Sequence, residues 1–309
     1  MEIHNGYNSL SFVRPVVTIG IFDGVHRGHI ALIRKLISAA GECKGESVVM
    51  TFNPHPRLVL ESRSGIPGIL TTIDEKVKLL AETGIDHLII SEFTSRFSRM
   101  TASDFIQNVL VGKIGTKHLI VGHDHHFGYK GEGNFSNLKL SAGISGLIVE
   151  QLEGLEAEGA VISSSRIREA LLKGKLDEAN RWLGYSYSLR GTVVEGKKLG
   201  REIGFRTANI NPSDKNKLVP VDGVYAVDVR INDSQWHGML SIGTNPTVNK
   251  DPELRSIEVH IINFEGDIYG TGLEILFRHR LRDEIKFENT EQLARQMMID
   301  RDNALKLLE

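Results

Sequence analysis

Residues Val16-Val17-Thr18-Ile19 are a short β-branched run that passes through Gly20-Ile21-Phe22-Asp23-Gly24-Val25 to His26-Arg27-Gly28-His29. Behind it, Ile33, Leu36, Ile37 and Ala40 recur at helical spacing, with Gly41 placed to end the helix. A run of this kind is a strand covered on both faces, as in a parallel sheet flanked by helices. Strand, glycine loop and helix in that order put both histidines at a helix N-terminus, where unpaired N–H groups and the helix dipole favour anions. The glycines let a nucleotide phosphate approach the backbone, and ligands of parallel sheets sit beyond the carboxyl ends of the strands. Taken alone, His-x-Gly-His is equally compatible with two ordinary cap or surface histidines.

A second segment, Ile162-Ser163-Ser164-Ser165-Arg166-Ile167-Arg168, shifts that balance. Its serines suit a helix N-cap, but arginines in a first turn oppose the dipole unless an anion is bound there. The alternative is a plain cap with solvated arginines. Together the two segments resemble the signature of the nucleotidyltransferase superfamily, whose members join an ATP-derived nucleotide to a phosphate-bearing acceptor and release pyrophosphate. The acceptor's own phosphate oxygen attacks in that chemistry, so the site supplies alignment and charge stabilisation rather than a nucleophile. The resemblance implies that His26 and His29 donate to the phosphates while Ser163, Ser164, Arg166 and Arg168 hold the leaving end.

The 309 residues leave room for about two domains. Strand patterns at 47–52, 87–90, 118–121 and 147–150 alternate with helical ones at 103–111, 166–172 and 176–183 and with a Thr72/Glu75 capping box opening a helix toward Gly84. This predicts an α/β, Rossmann-like domain with a mostly parallel sheet over residues 1–185. From Tyr187 the texture changes to short β-rich runs at 189–194, 206–210, 224–231, 235–242, 257–262 and 273–277. These predict a small closed β-barrel over 186–309, covered by a terminal helix at 290–308. The formal net charge of -2 gives no support to a nucleic-acid or anionic-membrane surface. No leader pattern or apolar run of transmembrane length is seen, and the single cysteine, Cys43, excludes a disulfide within the chain. The expectation is a cytoplasmic protein without nucleic-acid or membrane partners, compatible with a homo-oligomer.

The barrel half carries its own motifs. Gly191 to Arg201 is a glycine-rich basic loop suited to phosphates, with Gly191, Gly196, Lys197, Gly200 and Arg201 as candidates, although such loops also occur as plain turns. Thr207 and Asn209, two apart, face one side of a strand and offer hard oxygens for magnesium. Local hydrogen bonding is the other reading. Glu258 shares a strand face with His260 and is placed to accept a proton from a substrate hydroxyl, or else is simply solvated. Arg278 to Glu284 reads as a charge run on a loop. The cluster His123, Asp124, His125 and His126 has zinc-ligand chemistry, but sequence neighbours rarely converge on one ion, and a polar loop lining the nucleotide site is the better-supported reading.

In this order the motifs, with Phe52-Asn53-Pro54-His55-Pro56, Gly122 to Gly128, Ile242 to Thr247 and Phe264 to Gly270, make the chain resemble the bacterial bifunctional riboflavin kinase/FAD synthetase family over nearly its whole length. The resemblance implies an FMN adenylyltransferase half and a riboflavin kinase half, with riboflavin, FMN and FAD as substrates and products and ATP and Mg2+ used in each step. It implies an adenylyltransferase ATP site of Gly20, Phe22, Asp23, Gly24, His26, His29, Asp124, Ser163, Ser164, Arg166 and Arg168. Asn53, Pro54, His55 and Pro56 then contact nucleotide or flavin. In the kinase half it implies Thr207 and Asn209 as magnesium and phosphate ligands, Glu258 as base, and Arg282 and Glu284 as flavin contacts. The chain departs from the expected pattern at Arg206, His125, His126, Ser165 and Ser241. An adenylyltransferase for another acceptor and a non-enzymatic flavin-binding regulator are the competing readings. The kinase-like barrel opposes the first, and retention of Thr207, Asn209 and Glu258 opposes the second.

Overall fold

A computed structural model describes residues 1–60, 68–123, 125–136, 138–139, 146–157, 159–196, 204–244 and 255–309. Of the expected site residues, Asp124, Lys197, Gly200 and Arg201 lie outside these, as do Asn245, Pro246 and Thr247 of the motif segments. The chain divides into two compact units, Met1–Ser164 and Ser165–Glu309.

In the first unit β1 (Glu2–Asn5), β2 (Val16–Ile19), β3 (Ser47–Asn53), β4 (His87–Glu92), β5 (His118–Gly122) and β6 (Ile148–Leu152) form a sheet in the order β1-β4-β3-β2-β5-β6. All of its strand pairs are parallel. The strands bury both faces, as the apolar runs require. Val16, Val49, Leu88 and Ile120 join one core with Leu32, Ile33 and Leu36 of α1 (Arg27–Glu42). Val17, Ile19, Val48, Met50 and Ile89 join the other with Phe105, Ile106, Val109 and Leu110. The chain steps from β2 outward through β3 to β4 and then crosses to β5 on the far side of β2. Strand order therefore reverses between β2 and β5, which opens a ligand crevice at their carboxyl ends. A short α2 (Pro56–Leu60) follows β3, and α3 (Ile73–Ala81) begins at the expected capping box, with Thr72 Oγ1 accepting from Glu75 N and Glu75 Oε2 from Thr72 N. A small hairpin, β7 (Glu156–Ala157) and β8 (Ala160–Val161), closes the unit.

The helix expected at 103–111 takes a different form. A single α-turn, α4 (Ala102–Asp104), continues as a π-helix over Phe105–Ile114. Phe105, Ile106, Val109, Leu110 and Ile114 are all buried there. They fall at i, i+1, i+4, i+5 and i+9, which would spread over about half the circumference of an α-helix, and the wider i→i+5 winding gathers them onto a narrower inward face.

The second unit contains α5 (Ser164–Leu172) from Ser165 onward and α6 (Leu176–Leu183), followed by β9 (Ser188–Val194), β10 (Ala208–Pro212), β11 (Gly223–Ile231), β12 (Ser234–Thr244), β13 (Arg255–Ile261) and β14 (Gly272–Arg282). These six strands close into an antiparallel barrel of order β10-β13-β12-β11-β14-β9. The last helix, α7 (Thr290–Leu308), seats Ala304 against Phe205, Ala226, Met239 and Ile262. The strand expected from Arg206 begins at Ala208 instead, and the Arg206 carbonyl meets the side chain of His260 on β13, with Nδ1 at 2.8 Å, in place of a backbone partner.

Candidate functional sites

The loop from β2 to α1 is held in an unusual backbone shape. Phe22, Gly24 and Val25 all have positive φ, at 50°, 83° and 35°, and two of these are residues for which that region is strained. Four anchors hold it. The buried Asp23 carboxylate accepts from Leu70 N at 2.9 Å and Thr71 N at 3.0 Å. Gly24 N donates to Thr71 Oγ1 at 3.0 Å, and Ser164 Oγ to the Asp23 carbonyl at 2.8 Å. The fourth is Lys76, whose ammonium donates to the Ile21 carbonyl at 2.7 Å. Asp23 and Ser164, expected as ATP contacts, thus position the loop.

The same loop ends in the cap of α1. His26 Nδ1 accepts from His29 N at 3.3 Å, which leaves its Nε2 to carry the proton of the neutral ring. The two imidazoles stack with centroids 3.6 Å apart, and Phe22 meets His29 edge-on at 5.1 Å. Gly28 packs close beside them, and a Cβ there would sit 3.2 Å from the His26 ring. Burial first, then the electrostatic influence of the neighbouring His26 and Lys76, holds the His29 pKa well below the usual histidine value. His29 is therefore a neutral donor until an anion arrives.

At the carboxyl ends of β2 and β5 a cavity of about 630 Å³ is lined by Gly20, Phe22, Asp23, His29, Pro56 and Ser164 among the expected residues, together with His125, His126 and Phe127. His125 and His126 thus lie where a polar loop lining the site was expected. Asn53 joins Pro54 through a cis peptide bond at the end of β3, and buried His55 brings Nε2 to 3.8 Å from Asp23 Oδ2. Arg166 and Arg168 belong to the second unit, where Arg166 lies over the Trp182 ring at 4.9 Å and Arg168 is buried.

Two features of this unit go beyond the residues expected from sequence. The first is Lys76, only 4% exposed, with a pKa pushed down to about 8 by burial against the opposing pull of Asp23. Its signal was available: with Ile73, Val77 and Leu80 it occupies the apolar stripe of α3, an uncommon place for lysine unless it has a task. The second is an aromatic wall. Phe52, Phe93 and Phe97 meet pairwise at 5.5–5.6 Å, Phe97 reaches Phe105 at 5.8 Å, and Phe105 reaches Phe127 at 5.9 Å. Phe52, Phe93 and Phe127 come at or just past the ends of β3, β4 and β5, the crevice side of the sheet. A wall of this kind suits a flat aromatic ligand.

In the barrel, Asn209 on β10 lies directly opposite Glu258 on β13, whose other neighbour is Ser241 on β12. Thr207, just ahead of β10, donates from Oγ1 to Glu258 Oε2 at 3.2 Å. Gly196 packs against this group so closely that a Cβ would fall onto the Asn209 amide. Gly191 likewise admits no Cβ without meeting Asn211 O at 2.6 Å. Thr207, Asn209 and Glu258 are thus together, as expected from sequence. Glu284 lies over Gly243 of β12, and burial followed by the nearby Asp222 raises its carboxyl pKa. Arg282 is engaged elsewhere: Nε and Nη2 donate to the buried Asp300 of α7 at 3.0 and 2.7 Å, and Nη1 to the Asp283 carbonyl at 2.9 Å.

Family models for FAD synthetase and riboflavin kinase match residues 11–166 and 183–308. The bifunctional riboflavin kinase/FMN adenylyltransferase of Listeria monocytogenes is 39% identical over 288 residues, covering 93% of this chain and 90% of its own. That of Escherichia coli K12 is 37% identical over 304 residues, with 97% and 96% covered. A crystal structure from Streptococcus pneumoniae, described as a macrolide-efflux protein, superposes with a TM-score of 0.87 at 33% identity over 98% of both chains. That likeness is one of fold, and among the described residues no helix is long and apolar enough to cross a membrane. With both halves matched in order and full-length relatives covered almost end to end, the chain belongs to the bifunctional riboflavin kinase/FMN adenylyltransferase family and makes FMN from riboflavin and FAD from FMN, with ATP the donor in both steps.

Proposed function

We propose that the two steps are carried out at separate centres, the kinase at Thr207, Asn209 and Glu258 and the adenylyltransferase in the cleft of His26 and His29, with a domain boundary near residue 185. The observation that supports this reading is that the His26/His29 pair lies in the first compact unit and the Thr207–Glu258 pair in the second. In the barrel, Thr207 orients the Glu258 carboxylate through Oε2, and the carboxylate takes the proton of the riboflavin 5′-hydroxyl as that oxygen attacks the γ-phosphorus of ATP and ADP departs. The Thr207 hydroxyl and the Asn209 amide oxygen, beside that carboxylate, are a hard-oxygen set that fits Mg2+, which neutralises phosphate charge when bound. Glu284 then shapes the flavin side of this centre, with Arg282 bracing the adjoining α7 through Asp300.

In the first unit the FMN phosphate oxygen attacks the α-phosphorus of ATP and pyrophosphate leaves. The N-terminus of α1, with the ring N–H groups of His26 and His29, stabilises the charge on the transferring group. Ser163 faces the departing pyrophosphate, and the phenylalanine wall with the Asn53 to Pro56 turn receives the isoalloxazine ring. We place both reactions in the cytoplasm, where ATP is supplied.

Chromatography of flavins after incubation with ATP and Mg2+ tests the assignment. Glu258→Gln abolishes FMN formation from riboflavin and leaves FAD formation from added FMN, whereas His29→Ala does the reverse. Parallel loss of both activities in each folded variant overturns the two-centre reading.

A further inference from the structure

Glu2 and His4 project from one face of β1, and Glu2 stands directly opposite His87 on β4. The three side chains offer ligand atoms that all lie within 4.8 Å of one another. His4 Nε2 is 3.1 Å from His87 Nδ1, and Glu2 Oε2 is 3.7 Å from the same Nδ1. Two ligand atoms bonded to one tetrahedral zinc at the usual 2.0–2.1 Å are about 3.3 Å apart, so these separations bracket the edge of a zinc tetrahedron. Both imidazoles are largely withdrawn from solvent, at 15% and 14% side-chain exposure. Phe12 walls them in, 5.5 Å from the His4 ring and 4.7 Å from that of His87.

An independent feature points the same way. The far ring nitrogen of His87, Nε2, faces Glu46 Oε2 at 3.6 Å, and that oxygen is itself fixed by Val13 N at 2.7 Å. A carboxylate behind a histidine is the arrangement that orients ligating imidazoles and fixes their tautomer, here turning Nδ1 toward the cluster. The group lies where β1 and β4 begin, at the opposite end of the parallel sheet from the nucleotide crevice, and Glu2 and His4 precede the matched FAD synthetase region at residue 11.

We propose that Glu2, His4 and His87 form a binding site for a borderline divalent transition metal, Zn2+ by preference, with solvent in the fourth position, and that the ion fastens β1 to β4. Two imidazoles and one carboxylate suit zinc and its late first-row neighbours rather than magnesium or calcium.

The full chain, stripped with chelator and dialysed against ZnCl2, is to be assayed for bound metal and titrated against a chromophoric chelator. Wild type should hold one Zn2+ per chain at this site and gain thermal stability with added metal. His4→Gln and His87→Gln should each weaken that binding roughly tenfold or more, and Glu46→Gln, which removes no ligand, should also weaken it by about tenfold. Retained FMN and FAD formation shows that each variant is folded, and should His87→Gln fail to fold, His4→Gln on the outer strand decides the matter. Absence of Zn2+ binding at micromolar metal, or His4→Gln binding Zn2+ as tightly as wild type, overturns the proposal.

Discussion

The Lys76 ammonium reaches from α3 to the Ile21 carbonyl at 2.7 Å and brings a buried charge beneath the loop that presents His26 and His29. Burial lowers its pKa to about 8 from 10.5. Between those values the unfolded chain holds a proton that the folded chain has released, so stability rises with pH across the window. The stability of wild type relative to Lys76→Met should therefore climb by about 3 kcal/mol over that range. Urea unfolding of both proteins at a series of pH values measures it, and a flat difference removes the buried charge from the account. Loosening the loop should also slow FAD formation by about 10²-fold, with riboflavin phosphorylation unchanged.

His29 shows the same sign at lower pH. Its folded pKa lies well below 6.5, so the unfolded state binds the extra proton first and the stability this group confers is lost as pH falls below 6.5. His29→Gln should flatten the fall in stability below about pH 6.5 relative to wild type. An ATP phosphate at the helix terminus favours the charged ring, so nucleotide binding should raise the His29 pKa. Histidine NMR titration with and without ATP checks this, and an unmoved His29 resonance refutes it.

Gly196→Ala is the sharpest probe of the kinase centre. The added methyl displaces the Asn209 amide, and a displacement of about 1 Å at a reacting centre costs on the order of 10²-fold in rate. FMN formation should fall by that factor while FAD formation from FMN stays as in wild type. Equal activity in both assays would show that Asn209 can move without consequence.

Asp300→Ala leaves the Arg282 guanidinium without its carboxylate partner. Removing one partner of such a buried pair costs about 3 to 5 kcal/mol. The double variant Arg282→Met/Asp300→Leu should recover much of that loss. Denaturant midpoints of the three proteins give the comparison, and an unaffected Asp300→Ala midpoint would show that the pair does not hold α7 to the barrel.

Legibility in the sequence followed the range of the interactions. The α1 stripe, the Thr72/Glu75 box and the six barrel strands are set by neighbours within a few residues, and the periodicity exposes them. The π-helical run at 105–114 has the apolar content of a helix but not its period, and it was read as an ordinary helix. β1 has no apolar signature because it lies at the edge of its sheet and Glu2, Ile3 and Asn5 are exposed. Glu258 is nominated by its type and its strand, whereas Lys76 and the Phe93–Phe97 wall gain meaning only when distant strands end at one place. Arg282 was read within a local charge run, and its partner, Asp300, comes eighteen residues later on another element.

The contrast between the two sheets has a practical side. Among the described residues the barrel closes on itself and so has no edge strand, whereas the parallel sheet of the first unit ends on one side at β4, covered by the four residues of β1. Trimming the first five residues would bare the β4 backbone as a template on which chains can stack strand against strand. Purified protein so shortened should clump on storage while its barrel remains intact, and a fusion partner joined at this end would press on the same seam.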